Sequence, residues 1–152
     1  MQSFIYPVTL TPDNEDGGFV VKFIDLPEAI TQGENVDDAL LEAADCLEEA
    51  IANRIAMGLP IPNSSSLRSG QYPVPLPALM AAKAALYLAI QEIGISKVDL
   101  AKRLGCDEKE VRRLLDPHHT SKIPRIESAL HAVGKQLIVG VETEPCSAAS
   151  LE

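Results

Sequence analysis

The sequence predicts an α+β chain: a small antiparallel sheet covered by one long helix, then an all-α unit that ends in a strand. Three observations carry this. Apolar residues alternate with period two in short runs before residue 33, and they recur at helical spacing from Val36 to Ile55. Beyond Gly94 the apolar spacing is again helical, but caps and glycines cut it into short pieces.

Phe4, Tyr6, Val8 and Leu10 alternate with Ser3, Ile5, Pro7 and Thr9, and Phe19, Val21 and Phe23 alternate after the turn-forming run Asn14 to Gly18. This is a β-hairpin. Pro7 cannot donate to a ladder, so the first strand is expected to bulge there or to face that position outward. A third short strand, Ala29 to Gln32, follows the Leu26-Pro27 turn. Asn35, with Asp38 three residues on, caps a helix whose Val36, Leu40, Ala43, Leu47, Ile51 and Ile55 cover the sheet until Gly58. Its other face carries Asp37, Asp38, Glu42, Asp45, Glu48 and Glu49. Residues 60–77 are rich in proline and serine and mark a connection, within which Tyr72 and Val74 alternate as a last strand of the first sheet. Domain boundaries follow: 1–77, 78–144, and a flexible tail 145–152.

The second unit opens with an alanine-rich helix from Ala78 to Ile93, stopped by Gly94. Ile95 to Leu115 reads as a helix-turn-helix. Ser96 with Asp99, and Asp107 with Glu110, form two capping boxes eleven residues apart, separated only by the end of one helix, Gly105 and Cys106. Ala101 is small where the helices cross, and Leu100, Leu104, Val111 and Leu114 supply the inner faces. A final helix spans Pro124 to Val133, and Lys135 to Glu142 alternates Leu137, Val139 and Val141 as a strand that would pair with a second copy.

Charge divides the same way. The 152 residues carry a net charge of −9. Residues 1–80 hold three basic side chains (Lys22, Arg54, Arg68) against twelve acidic ones, whereas residues 81–152 hold ten of each. Only the first half repels nucleic acid. Between Ser96 and Arg125 eight basic residues face five acidic ones, a cationic patch in an acidic chain. If the second helix of the pair enters a major groove, Glu108, Lys109, Arg112, Arg113 and Asp116 occupy its outward positions, with Lys97, Lys122 and Arg125 flanking it for phosphates. Glu108 is either an acceptor for cytosine or a cap and groove-shaping charge. One such unit makes few contacts, so useful affinity requires two copies about one DNA turn apart.

Other chemistries find less support. No apolar run reaches the roughly eighteen residues that a membrane span requires, and the start is not that of an export signal, which points to the cytoplasm. Cys46, Cys106 and Cys146 fit neither a disulfide framework nor a metal site and are read as reduced thiols. His118 and His119 are adjacent, so their side chains diverge, and no third ligand type gathers around them; no metal or cofactor is expected. Asp13, Glu15, Asp16 and Asp25 resemble a two-metal nuclease set only in composition, since most sit in one loop without a basic channel. Phe4, Tyr6, Phe19 and Phe23 follow core alternation and are not placed to stack bases. No catalytic residue is assigned.

Tyr6-Pro-Val, Asp16-Gly-Gly-Phe-Val-Val, Asp25-Leu-Pro-Glu-Ala-Ile-Thr-Gln-Gly33, the Ala39 to Glu49 helix and Gly58-Leu-Pro-Ile-Pro62 together resemble the HicB antitoxins of bacterial type II toxin-antitoxin systems. The C-terminal half is similar to the variant with a Cro/repressor-like helix-turn-helix, and the likeness runs from about Ser3 to Ile138. The resemblance implies a partial ribonuclease H-like first domain, without catalysis, that masks HicA, a small basic ribonuclease toxin that cleaves mRNA. It also implies a second domain that binds the operon's operator as a homodimer or higher homo-oligomer. Electrostatics agree with masking: an RNA-cleaving partner displays positive charge, and Asp37, Asp38 and Glu42 would meet it. Two alternatives stay open at this point. One is a stand-alone transcriptional regulator whose first domain senses a ligand or only dimerises, and the other is a metal-dependent nuclease.

Overall fold

Asp13 organises the first turn, its Oδ1 accepting from the N–H groups of Glu15 and Asp16 at 3.0 and 3.3 Å, and the chain doubles back through Gly17 and Gly18. In the computed structural model, which describes residues 1–144, this turn joins β1 (Ile5–Pro12) to β2 (Phe19–Phe23). β3 (Ile30–Gly33) follows, then α1 (Val36–Ala56) and β4 (Tyr72–Pro75), in an antiparallel sheet of order β3-β2-β1-β4. Tyr6, Val8, Val21, Phe23 and Val74 point to one face and are buried under Ala39, Ala43, Leu47, Ile51 and Ile55 of α1. The alternation along the strands thus fixes which face is core. The expected tail 145–152 lies outside the described residues.

Pro7 is neither bulged nor turned to solvent. The β1–β4 register runs unbroken through Pro7↔Pro73, and Pro7 faces β2 just past the Val8↔Phe23 pair, where its carbonyl accepts from Ile24 N–H at 3.1 Å. Toward β4 Pro7 sits at a pair that is not hydrogen-bonded, so its missing donor falls on the β2 side, opposite Ile24 just past the end of β2, and costs the ladder one bond at its end. Gly33 is a packing requirement: a Cβ there would lie 2.3 Å from Ala39 N, so the absence of a side chain lets α1 settle onto β3. The connection 60–77 is not a loose tether either. Ile61, Val74 and Leu76 are buried, Arg54 forks onto Glu28 at 2.6 and 3.0 Å while donating to Pro60 O at 2.8 Å, and Asp25 accepts from Ser65.

α2 (Ala78–Ile93) belongs to two cores. Met80, Ala84 and Tyr87 close the sheet cluster, while Ala82, Leu86 and Ala89 enter a second cluster built by α3 (Lys97–Leu104), α4 (Glu108–Leu115) and α5 (Ile123–Ala132). Small residues on both sides permit this. The strand expected over Lys135–Glu142 does not form: residues 135–144 are without regular structure, and Ile138, Val139 and Val141 are exposed. The partner expected for this strand is a second copy, and in the single chain the segment joins no sheet that would satisfy its backbone groups. No single helix among the described residues is long and apolar enough to cross a membrane.

Candidate functional site

Two short helices and a three-residue turn make the candidate binding unit. Ser96 Oγ accepts from Asp99 N–H at 3.0 Å to start α3, and Gly105, at φ +67°, ends it by donating back to Ala101 and Lys102. Only a residue free of a Cβ adopts that φ without strain. Asp107 then accepts from Glu110 N–H at 2.9 Å and starts α4. In the second of the two expected capping boxes the reciprocal half is missing, since Glu110 instead pairs with Arg125 of α5. At α1, likewise, Asn35 accepts from Asp38 N–H, but Asp38 accepts from Glu34 N–H, one residue earlier than the box requires.

Val111 and Leu114 anchor α4 in the second core, which leaves Lys109, Arg112 and Arg113 on the opposite arc of the helix, while Glu108 flanks the core stripe and Asp116 is the C-cap residue just past the helix. Lys109, Arg112 and Arg113 are exposed. Glu108 lies one turn before Arg112 and holds its guanidinium at 2.7 and 3.2 Å, so this carboxylate aligns a cation along the helix rather than standing free. Arg125 is held against α4 by Glu110, Lys122 is the N-cap residue of α5, and Lys97 opens α3. The cations named from sequence thus fall on three helices: three lie together on α4, one is tied to it, and Lys97 and Lys122 sit at helix starts.

Lys83 is the residue that the sequence reading missed. It is 1% exposed, the sole buried charged side chain among the described residues, and lies at the junction of the two cores. Its Nζ donates to Arg113 O at 3.0 Å, Asp116 O at 2.6 Å and Ser121 Oγ at 3.0 Å. The ammonium therefore caps the C-terminal carbonyls of α4 and ties the helix to α2 and to the following loop. Burial pulls its pKa below the ordinary lysine value, partly opposed by the Asp116 carboxylate. The available signal was one lysine inside an alanine-rich, otherwise apolar helix.

The acidic face of α1 divides in two. Asp45, Glu48 and Glu49 line an open cleft of about 310 Å³ with Met80, Pro117 and His118, while Asp37, Asp38 and Glu42 lie in the N-terminal part of the helix, whose Ala39 rests on Gly33 of β3. None of the six joins an ion pair among the described residues. Asp13 and Asp25 serve turns and loop contacts, and no three metal-ligating side chains converge among the described residues. Burial raises the Cys46 and Cys106 thiol pKa values, so neither is poised as a thiolate.

Residues 5–85 match the HicB-like antitoxin family of bacterial toxin–antitoxin systems. The chain is 40% identical over 132 residues to the antitoxin HicB of Escherichia coli, covering 87% of this chain and 95% of that protein. It is 36% identical over 137 residues to antitoxin HicB 1 of Photorhabdus laumondii, covering 90% and 86%. With the antitoxin HicB of Pseudomonas fluorescens it shares 33% identity over 141 residues, covering 92% and 97%. A four-stranded antiparallel sheet under one acidic helix, continuous with a helical unit that displays cations, is accordingly the architecture of a member of the HicB-like antitoxin family, to which this chain belongs.

Proposed function

We propose that the chain neutralises a HicA-type, mRNA-cleaving ribonuclease toxin by direct binding, and represses its own operon by gripping operator DNA through α3 and α4. Residues 1–77, a partial ribonuclease H-like domain, would occupy the toxin, and residues 78–144 would bind DNA and dimerise. The protein acts in the cytoplasm, where message and operator both lie, and catalyses nothing. The observation that carries this reading is the segregation of charge: twelve acids against three bases in residues 1–80, and an exposed Lys109, Arg112 and Arg113 on α4. An RNA-cleaving protein must attract phosphate, so an anionic surface steers toward it and competes with its substrate. Asp37, Asp38 and Glu42 form the toxin face; Lys97, Glu108, Lys109, Arg112, Arg113, Lys122 and Arg125 form the DNA face.

Co-expression with a HicA-type toxin tests the first half, with growth rescue and co-purification as readouts. Failure of both removes the antitoxin role. Gel shift of the chain's own promoter fragment at low ionic strength, with the oligomeric state measured alongside, tests the second. A monomer that leaves the fragment unshifted removes the repressor role.

A further inference from the structure

The two edges of the sheet differ in what they offer. On β4 the Leu76 N–H donates to Phe4 O at 2.8 Å, so by antiparallel alternation Val74 and Tyr72 bond to β1 while Pro73 and Pro75 face outward. Neither proline has an N–H, so that edge offers an added strand no donor along Tyr72 to Pro75. On β3 the Phe23 N–H donates to Ala29 O at 3.3 Å, which makes Thr31 and Gly33 the residues bonded to β2. Ile30 and Gln32 then turn their N–H and C=O groups to the open side. This edge is short, four residues, but no proline, lysine or bulge interrupts Ile30 to Gly33, and Ile30 is 54% exposed.

Carboxylates bracket this edge. Glu28 precedes it by two residues but is already taken by Arg54, whereas Glu34 follows it directly and the first turn of α1, pressed onto Gly33, carries Asp37 and Asp38, none of the three in an ion pair among the described residues. A second copy of the chain would bring its own Glu34, Asp37 and Asp38 to the same edge, so self-pairing is opposed by like charge. A strand from a cationic partner meets no such penalty.

Building on the toxin-binding reading above, we propose that the basic toxin docks by adding a strand of its own to β3, bonding to the main chain of Ile30 and Gln32 while its cations meet Glu34, Asp37 and Asp38. Backbone pairing would supply affinity and the carboxylates would select the partner.

The test uses the full chain, free and in complex with a co-expressed HicA-type toxin. Amide hydrogen exchange is expected to slow by roughly tenfold or more at Ile30 and Gln32 in the complex, with little change at Thr31 and Gly33, which β2 already protects. Gln32→Pro, which deletes one outward donor, is expected to weaken toxin binding by about tenfold, whereas Gln32→Ala, which keeps it, binds as the parent does. If Gln32→Pro does not fold, the exchange measurement on the parent chain decides. A complex that forms with Ile30 and Gln32 exchanging at their free rates overturns the strand-addition proposal and leaves the antitoxin role standing. Absence of any complex overturns the antitoxin role, and this proposal with it.

Discussion

Lys83→Met removes one ammonium and keeps nearly all of its packing. The methionine stem fills the same space between the two cores, so the change isolates the three bonds from Nζ to Arg113 O, Asp116 O and Ser121 Oγ. A bond to a charged donor is worth about 1.5–3 kcal/mol, but the three do not add up to their sum here. Arg113 O still accepts from Asp116 N–H and Ser121 Oγ, both at 3.2 Å, and Asp116 O still accepts from His119 N–H at 3.2 Å. Relief of the buried ammonium's desolvation, the cause of its lowered pKa, offsets more. A net loss of about 1–2 kcal/mol remains, equivalent to a melting temperature lower by roughly 3–6 °C for a chain of this size. Calorimetry at neutral pH reads it directly. Lys83→Met combined with Ser121→Ala should cost less than the two single losses added, because they share one network. A variant that melts at or above the parent temperature would show that Lys83 does not hold α4 in place.

Asp37→Lys with Glu42→Lys is expected to slow toxin association about tenfold or more at low salt, as stopped-flow would record, with the difference shrinking as salt is added; equal rates would remove this face from the encounter. Asp38 is the poorer probe, because its carboxylate also accepts from Glu34 N–H at 2.8 Å. Glu108→Gln releases the Arg112 guanidinium and deletes a negative charge beside the groove, so binding to DNA of any sequence should strengthen several-fold in a titration by fluorescence anisotropy, while Arg112→Ala should weaken it and reduce the salt slope by about one. Gly33→Ala sets a Cβ 2.3 Å from Ala39 N and should cost about 2–3 kcal/mol or more in denaturant unfolding, since backbone rather than a mobile side chain must yield. Tyr6 is 1% exposed, donates to Pro62 O at 2.8 Å, and has its pKa raised from 10.0 to about 12, chiefly by burial. The folded state therefore favours the protonated phenol. That stability is full below pH 10 and is lost as pH rises toward 12, an amount on the order of 2–3 kcal/mol that Tyr6→Phe should not lose across the same window.

What the sequence revealed, and what it hid, follows from the range of each interaction. Period-two runs, Asn35, Ser96, Asp107 and Gly105 act through neighbours within about four residues, and they located four strands and five helices. The strand at Lys135–Glu142 was the exception, because strand identity depends on a partner edge that a local pattern does not specify. Lys83 was hidden for the same reason: its acceptors are 30 to 38 residues away, and nothing near it in the chain separates a solvated lysine from a buried one. The acidic stripe of α1 was legible as composition, yet its division into a cleft by His118 and a region above β3 depends on how α2 docks.

That docking also bears on how the two halves communicate. The proline-rich stretch invites a picture of two beads on a string, but α2 contributes Met80, Ala84 and Tyr87 to one core and Ala82, Leu86 and Ala89 to the other, and Tyr87 Oη donates to Leu59 O at 2.8 Å. A displacement of α1 by a bound partner therefore acts on the same helix from which Lys83 reaches the end of α4. Close-packed small residues transmit such a shift rather than absorb it. Partner binding and DNA binding are thus expected to be energetically coupled, with reciprocal effects on the two affinities. The ratio of operator affinities with and without saturating toxin reads that coupling, and Lys83→Met, which cuts the link to α4 while removing no side chain of either proposed face, should bring that ratio closer to one whatever it does to DNA affinity itself. Equal operator affinities in the two states would mean that the shared helix is inert as a connection.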